Sequence, residues 1–107
     1  MLFLETPIFT RAVTRLLSDY EYLKLQGALV GRPTLGVVIP RTGGVRKARW
    51  GQEGRGKGKR GGVRVIYFWY ERRSTFYMLA VFSKDEQEDL TRNQERILRQ
   101  LVEDEFS

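Results

Sequence analysis

The sequence predicts an α+β fold in which helices pack against one side of a small antiparallel sheet. Apolar residues recur at helical spacing near both ends of the chain, whereas residues 37–82 are rich in Val, Ile, Tyr, Phe and Trp. With 107 residues, 41% of them hydrophobic, the chain can bury one core, and no stretch reads as a linker between domains. We therefore expect residues 1–107 to form a single domain with the element order β-α-α-β-β-β-α.

The first third of the chain is predicted to be a short strand followed by a helical hairpin. Leu2–Glu5 alternates like a strand, and Thr6 can cap a helix that has a proline at its first position. Ser18 and Glu21 have the spacing of a capping box, so a second helix should start there and end near residues 31–33. Almost no loop is left between the two helices.

The rest of the chain is predicted to hold three strands and a last helix. Residues 45–50, 63–70 and 75–82 read as strands, with a hairpin turn between the last two. Residues 51–62 contain six glycines and four basic residues and should form a flexible loop. Thr91 can cap the last helix.

Several kinds of site are excluded by composition. The chain has no cysteine and no histidine, which removes disulfides, thiol nucleophiles, cysteine-ligated metals and the commonest metal ligand. We expect neither a metal nor a cofactor. The longest apolar stretches are far below the ~18 residues of a membrane span, and the first residues do not resemble a signal peptide. A soluble, cytoplasmic protein with no membrane partner is therefore expected.

Charge is unevenly distributed along the chain. Residues 41–64 hold nine basic residues against one acid, whereas residues 85–107 hold eight acids against three arginines. A basic run is often only a solvated surface. Here nothing nearby in the sequence neutralises it, which favours a nucleic-acid or other phosphate partner.

Two phosphate-binding patterns in the glycine-rich segment fail on their context. The segment 51–57 starts like a P-loop, but glycine follows the lysine where Ser or Thr is needed, and a strand comes next. The segment 56–61 matches a dinucleotide fingerprint but precedes a strand. We expect instead a loop whose cations follow an RNA backbone. These cations are Arg55, Lys57, Lys59 and Arg60.

A second group of cations is expected to meet at one end of the sheet. Alternation places Lys47 and Arg49 on one strand face with Val45, and Arg46 on the other face. Antiparallel pairing brings Arg64 beside that strand and Lys84 to the same end. Such a cluster is costly without an anion, so an anionic ligand is predicted.

Three segments, in order, resemble the RelE/ParE superfamily of type II toxins, most closely its HigB-like branch. They are Arg-Thr-Gly-Gly-Val-Arg-Lys at 41–47, Gly-Lys-Gly-Lys-Arg-Gly-Gly-Val-Arg-Val-Ile-Tyr-Phe-Trp at 56–69, and Lys-Asp-Glu-Gln-Glu-Asp-Leu at 84–90. The resemblance implies a RelE-like toxin domain that cleaves translated mRNA on the ribosome. It also implies a cognate, HigA-like antitoxin with a helix-turn-helix domain, through which the complex would bind operator DNA.

The resemblance also implies roles for individual residues. Lys47 and Arg49 match the paired basic residues of the family's active strand, Arg64 matches the arginine on the scissile phosphate, and Lys84 matches the basic residue after the last strand. Arg46 and the four loop cations would contact RNA or the ribosome. Asp85 and Thr91 depart from the pattern, since the family often has arginine and tyrosine in these regions.

The chemistry expected is attack of the RNA 2′-OH on the adjacent phosphate, which needs no metal. Without histidine, the base would be Lys47 or Lys84; neighbouring cations can lower the pKa of a crowded lysine. Arg64 would clamp the phosphate and Arg49 would stabilise the transition state. Two alternatives stay open, namely a non-catalytic RNA- or ribosome-binding protein and a gyrase-inhibiting, ParE-like toxin.

Overall fold

The computed structural model describes residues 1–52, 56, 58 and 61–106, and within them the chain forms three α-helices and one five-stranded sheet. The elements are β1 (Leu2–Glu5), α1 (Pro7–Leu16), α2 (Asp19–Gly31), β2 (Val37–Val38), β3 (Arg46–Trp50), β4 (Val63–Tyr70), β5 (Thr75–Ser83) and α3 (Arg92–Phe106). A 3-10 turn, Glu71–Arg73, joins β4 to β5. The α+β class is confirmed, and the RelE-like arrangement stays a prediction.

Helix starts lie where the sequence predicts them. The Thr6 hydroxyl accepts a hydrogen bond from the Phe9 N–H at 3.0 Å and caps α1. Ser18 and Glu21 form both halves of a capping box at the start of α2. At α3 the Thr91 hydroxyl accepts from the backbone of a residue three positions later. These caps depend only on neighbours in sequence, and all three are confirmed.

The sheet differs from the expected antiparallel one. Its strand order is β1-β5-β4-β3-β2, and β1 pairs with β5 in parallel. The other three pairings are antiparallel. An additional strand, β2, extends the edge with only two exposed valines, too short for a sequence pattern to reveal. The sheet is therefore mixed, and the prediction of a wholly antiparallel sheet is wrong at β1.

Helices cover both faces of the sheet, and the prediction that they share one side is also wrong. Phe9 of α1 and Leu25 of α2 pack with Val65 in one apolar cluster. On the opposite face, Val102 of α3 packs with Ile66 in a second cluster. The central strand β4 is buried on both faces over its first five residues, as expected of a strand covered on both sides.

The edge next to β3 is held by Tyr67. Its hydroxyl donates to the Pro33 carbonyl at 2.8 Å and accepts from the Gly36 N–H at 2.9 Å. Burial raises the pKa of Tyr67 above its ordinary value, so the hydroxyl keeps its proton. This pair of bonds fixes the segment that leads into β2 and the register of Val37 opposite Lys47.

In the part of the chain that the structure describes, no helix has the length and apolar character needed to cross a membrane.

Candidate functional site

Strands β3 and β4 place basic residues on the sheet face that α3 also covers. Arg49 lies directly opposite Arg64, and Lys47 lies opposite Ile66 two positions along. Val45, on the same side of the strand as Lys47 and Arg49, is fully buried in the α3 cluster, whereas Ala48 belongs to the cluster on the other face. The predicted alternation of this strand is therefore confirmed.

Lys84 lies at the same end of the sheet as Arg64. Val63 pairs with Ser83, and the Lys84 N–H donates to the Gly62 carbonyl at 3.1 Å. The Lys84 side chain is exposed. The predicted meeting of four basic residues at one end of the sheet is thus consistent with the strand register.

Arg46, another predicted RNA contact, does not join this cluster. Arg46 projects to the opposite sheet face, where it donates to the Gly36 carbonyl at 2.8 Å and is half-buried. Its contact in the structure is thus with the chain itself. The four loop cations, Arg55, Lys57, Lys59 and Arg60, lie outside the described residues.

Arg64 is buried, which contradicts the expectation that all four cations face a ligand. Its side chain is only 1% exposed. One terminal nitrogen lies 3.5 Å from the Val63 carbonyl and the other 3.9 Å from the Glu88 carboxylate. Residues that follow β5 fold back over this arginine, a long-range arrangement that the alternation of β4 does not reveal.

The chain's own carboxylates neutralise part of the cation cluster. Lys47 donates to Asp89 in an ion pair, and Glu88 approaches Arg64. That hydrogen bond from Lys47, supported by the charges of Lys47, Arg49 and Arg64, holds the pKa of Asp89 below its usual range. The chain itself therefore supplies part of the anionic charge that was expected from a ligand.

A sharp turn after β5 brings these carboxylates back. The N–H groups of Glu86 and Gln87 both donate to the Ser83 carbonyl at 3.0 Å, and the Asp85 N–H donates to the Ser83 hydroxyl at 3.1 Å. The chain reverses at once, so residues 88 and 89 reach the cations of β3 and β4. The sequence contained a signal for this neutralisation, because an acidic run at residues 85–89 directly follows Lys84 at the end of β5.

A cleft of about 410 Å³ opens beside this ion pair, between β2 and the start of α3. Lys47 and Asp89 line one side, and Arg41 and Glu95 line the other. Arg41 donates to both Glu95 carboxylate oxygens, at 3.1 and 3.3 Å. Sequence reasoning missed this bidentate pair.

A signal for the Arg41–Glu95 pair is visible in the helix pattern. Glu95 lies three and seven residues before Leu98 and Val102, which face the core. A glutamate on the apolar side of a helix is buried and needs a partner, and Glu95 is only 8% exposed.

This arrangement can bind an anion where a carboxylate now lies. Among the described residues Asp89 forms one ion pair, with Lys47; the Asp89 side chain is 70% exposed and that of Lys47 19%, so the carboxylate can swing into solvent at the cost of one partly exposed pair. A phosphate oxygen could then take its place against Lys47, with Arg49 beside it. In the structure the carboxylate of Asp89 occupies the position at Lys47 that a phosphate oxygen would take.

A scan against protein-family models finds no match to this chain. The likeness to RelE/ParE toxins therefore rests on the three sequence segments alone.

Proposed function

We propose that this protein is a metal-independent endoribonuclease that cleaves translated mRNA on the ribosome in the cytoplasm. It would act as the toxin of a type II toxin–antitoxin pair and would inhibit translation and growth. The observation that carries the proposal is the direct pairing of Arg49 with Arg64 across β3 and β4, with Lys47 on the same face and Lys84 at the same end.

Such a pairing is unfavourable for folding alone. Like charges directly opposite each other in a sheet are destabilising, by roughly the 0.2–1 kcal/mol of a cross-strand pair. The carboxylates of Asp89 and Glu88 offset part of that cost. A bound phosphate would take over this role and displace them. A surface that concentrates cations and covers them with a displaceable acid fits a phosphate-binding role.

The cleavage step needs only groups that this chain supplies. The 2′-oxygen forms a bond to phosphorus while the bond from phosphorus to the 5′-oxygen breaks, and the products carry a 2′,3′-cyclic phosphate and a 5′-hydroxyl. Of the two lysines Lys47 and Lys84, one accepts the 2′-OH proton as the neutral amine, and the other, as the ammonium, gives a proton to the leaving 5′-oxygen. Positioned cations stabilise the charge that develops on the phosphorane.

The burial of Arg64 divides the roles of the two arginines. Arg49 is exposed and can donate directly to phosphate oxygens. Arg64 is buried and would act on a bound phosphate only through its positive charge, without a direct contact. Lys47 donates to Asp89 as an ammonium, so it can act as a base only after that ion pair opens and the ammonium gives up a proton. Lys84, which is exposed, is the other candidate base.

The proposed partners follow from the resemblance. A HigA-like antitoxin with a helix-turn-helix domain would hold the protein inactive and link it to operator DNA. Ribosomes and mRNA would be the targets once the antitoxin is lost.

The second candidate is a non-catalytic RNA-binding protein. It is favoured by the closed state of the cluster, in which Arg64 is buried and Lys47 is paired with Asp89. Such a protein would bind RNA or ribosomes and leave the RNA intact.

The test compares cleavage by the wild type with that by Arg49→Ala. Because Arg49 is exposed, its truncation opens no cavity; Arg64→Ala would remove a buried side chain and confuse activity with folding. We expect the wild type to cut mRNA on translating ribosomes and Arg49→Ala to be slower by about 10²-fold. The melting temperature should stay the same or rise slightly, because a like-charge pair across the strands is removed.

Arg72→Ala is the matched control, because Arg72 is exposed in the turn at the opposite end of β4. It should cleave like the wild type. Bound but intact RNA with the wild type would establish the non-catalytic candidate, and equal rates for both variants would reject the assignment of Arg49.

A further inference from the structure

Helix α3 has a basic residue at its N-terminus and acidic residues at its C-terminus, the ends at which the helix dipole disfavours them. Three arginines, Arg92, Arg96 and Arg99, lie in its N-terminal half, and Glu103, Asp104 and Glu105 lie at its C-terminal end. A helix dipole favours the reverse order, by roughly 0.3–1 kcal/mol for each charge in an end turn. Arg92 is the first helical residue, where a cation is least favourable. The dipole acts within the first and last turns, where Glu95 agrees with it and Arg92 does not. Helix stability therefore does not account for Arg92, and local conflicts of this kind are expected at functional or strained sites.

The three arginines share one side of α3. They are spaced four and three residues apart, which places neighbours on the same helical face, and all three side chains are exposed. Arg96 contacts the Asn93 side chain at 3.3 Å and Arg99 pairs with Glu103 at 2.9 Å. Within residues 1–52, 56, 58 and 61–106, neither Arg92 nor Arg96 forms an ion pair with a carboxylate.

A fourth arginine is held beside them at a conformational cost. Arg41 has a φ of +66°, in the left-handed region that residues other than glycine avoid. The turn is fixed by Thr42, which is fully buried; its hydroxyl donates to the Ile39 carbonyl at 2.7 Å and accepts from the Val45 N–H at 3.1 Å. Together with the bidentate contact to Glu95, this turn fixes Arg41 against α3.

The four arginines line a groove that continues into the cleft beside Lys47. A second concave region, of about 370 Å³, is lined by these arginines and Glu95. It shares Arg41, Arg92 and Glu95 with the cleft that Lys47 and Asp89 line. We name this surface, formed by Arg41, Arg92, Arg96 and Arg99, the arginine groove.

We propose that the arginine groove binds the phosphate backbone of single-stranded RNA and leads it to the cation cluster at Lys47. This inference rests on the proposed function. From Arg92 to Arg99 the helix rises about 10 Å, which is long enough for more than one phosphate of an extended strand to lie along the groove. The guanidinium fork suits phosphate oxygens. An acidic protein would need apolar anchors at the centre of its interface. The residues that line the second concave region are all charged, and the apolar residues of this surface lie in the adjoining cleft.

The test is the salt dependence of binding to a short, labelled 2′-O-methyl oligonucleotide, which cannot be cleaved by 2′-OH attack. The variant Arg92→Gln with Arg96→Gln removes two exposed cations that hold no carboxylate among the described residues. We expect weaker binding and a log–log salt slope shallower by about 1.4, because each phosphate that an arginine neutralises adds about 0.7 to the slope. The control, Arg72→Gln with Arg73→Gln, changes the net charge equally in the exposed turn after β4 and should keep the wild-type slope.

The outcomes separate this inference from the proposed function. Equal slopes for the two double variants would overturn the groove, while cleavage by the wild type would still stand. If the groove variant shows the expected change in slope but the wild type cleaves no RNA, the groove assignment stands and the endoribonuclease proposal is overturned. If polyglutamate binds as tightly as the oligonucleotide and its affinity falls equally in the groove variant, the occupant is an acidic polypeptide, and the RNA assignment is wrong.

Discussion

Asp89 forms an ion pair with Lys47, and its removal should increase affinity for RNA. In Asp89→Asn the ammonium of Lys47 no longer has this anionic partner, so a phosphate does not compete with a carboxylate. Surface ion pairs contribute about 1 kcal/mol or less. Because Lys47 is only 19% exposed, we expect an effect near the upper end of this range, with RNA bound about fivefold more tightly. Glu71→Gln, which removes one negative charge from the exposed turn after β4, is the control and should bind like the wild type. Equal affinities for the two variants would show that Asp89 does not compete with RNA.

The effect of Asp89→Asn should not vary with pH between about 5 and 8. Because the pKa of Asp89 is lowered in the folded state, its contribution to stability is complete above the unfolded value. That contribution is lost only as the pH falls through the lower, folded value. The chain has no histidine to titrate in this range. Binding titrations at several pH values check this, and an affinity gain that disappears toward pH 5 would contradict it.

At the scale of single residues, the sequence predicts on which face of a strand a side chain lies, but it does not predict how deeply that side chain is buried. Alternation correctly assigned Lys47 and Arg49 to one face, because that depends only on the two-residue period of a strand. Burial of Arg64 depends on a segment more than twenty positions away that folds over it. The neutralisation of Lys47 by Asp89 has the same long-range origin, and local patterns do not contain it.

At the scale of elements, the connection between β3 and β4 depends on Gly62. A Cβ atom there would collide with the Trp50 carbonyl oxygen and with the backbone of Gly51. One of the two chain segments at the start of β4 would have to move. Gly62→Ala should therefore lower the free energy of unfolding by about 2–3 kcal/mol, in the range of strongly destabilising substitutions.

Gly61→Ala is the matched control for Gly62→Ala. A Cβ at Gly61 meets no atom within 4 Å, so this variant should be neutral or more stable by up to about 1 kcal/mol through reduced freedom of the unfolded chain. Urea denaturation of both variants provides the comparison. Equal loss of stability in the two would mean that the close approach to Trp50 is not what requires glycine.

Helices and strands could be predicted where the sequence signal is local, but the way in which they pair and pack could not. The caps of all three helices follow from residues three positions apart. The parallel pairing of β1 with β5 joins residues more than seventy positions apart, and the sequence contains no local trace of it. The position of α3 opposite the helical hairpin follows from β4 being apolar on both faces, a pattern that a reading based on one buried face overlooks.

At the scale of the whole molecule, charges that are separate in sequence meet in space. Residues 88 and 89 of the acidic C-terminal region contact the basic strands β3 and β4, while the arginines of α3 extend the basic surface through Arg41. The region from 85 to 107 is therefore not a uniformly acidic surface. One part covers the cation cluster and the next part enlarges the basic groove, which composition alone could not distinguish.

Expression of this protein alone in bacteria should arrest growth by stopping translation. The physical reason is catalytic turnover: a nuclease that cuts mRNA on ribosomes needs few copies, whereas a binding protein must match its target in number. Primer extension should reveal new 5′ ends within translated regions of mRNA and none in RNAs that are not translated. Arg49→Ala, expressed at the same level, should restore growth, and Arg72→Ala should not. Growth arrest with intact mRNA and accumulating DNA breaks would favour the gyrase-inhibiting alternative. Normal growth with RNA bound and intact would favour the non-catalytic RNA-binding protein.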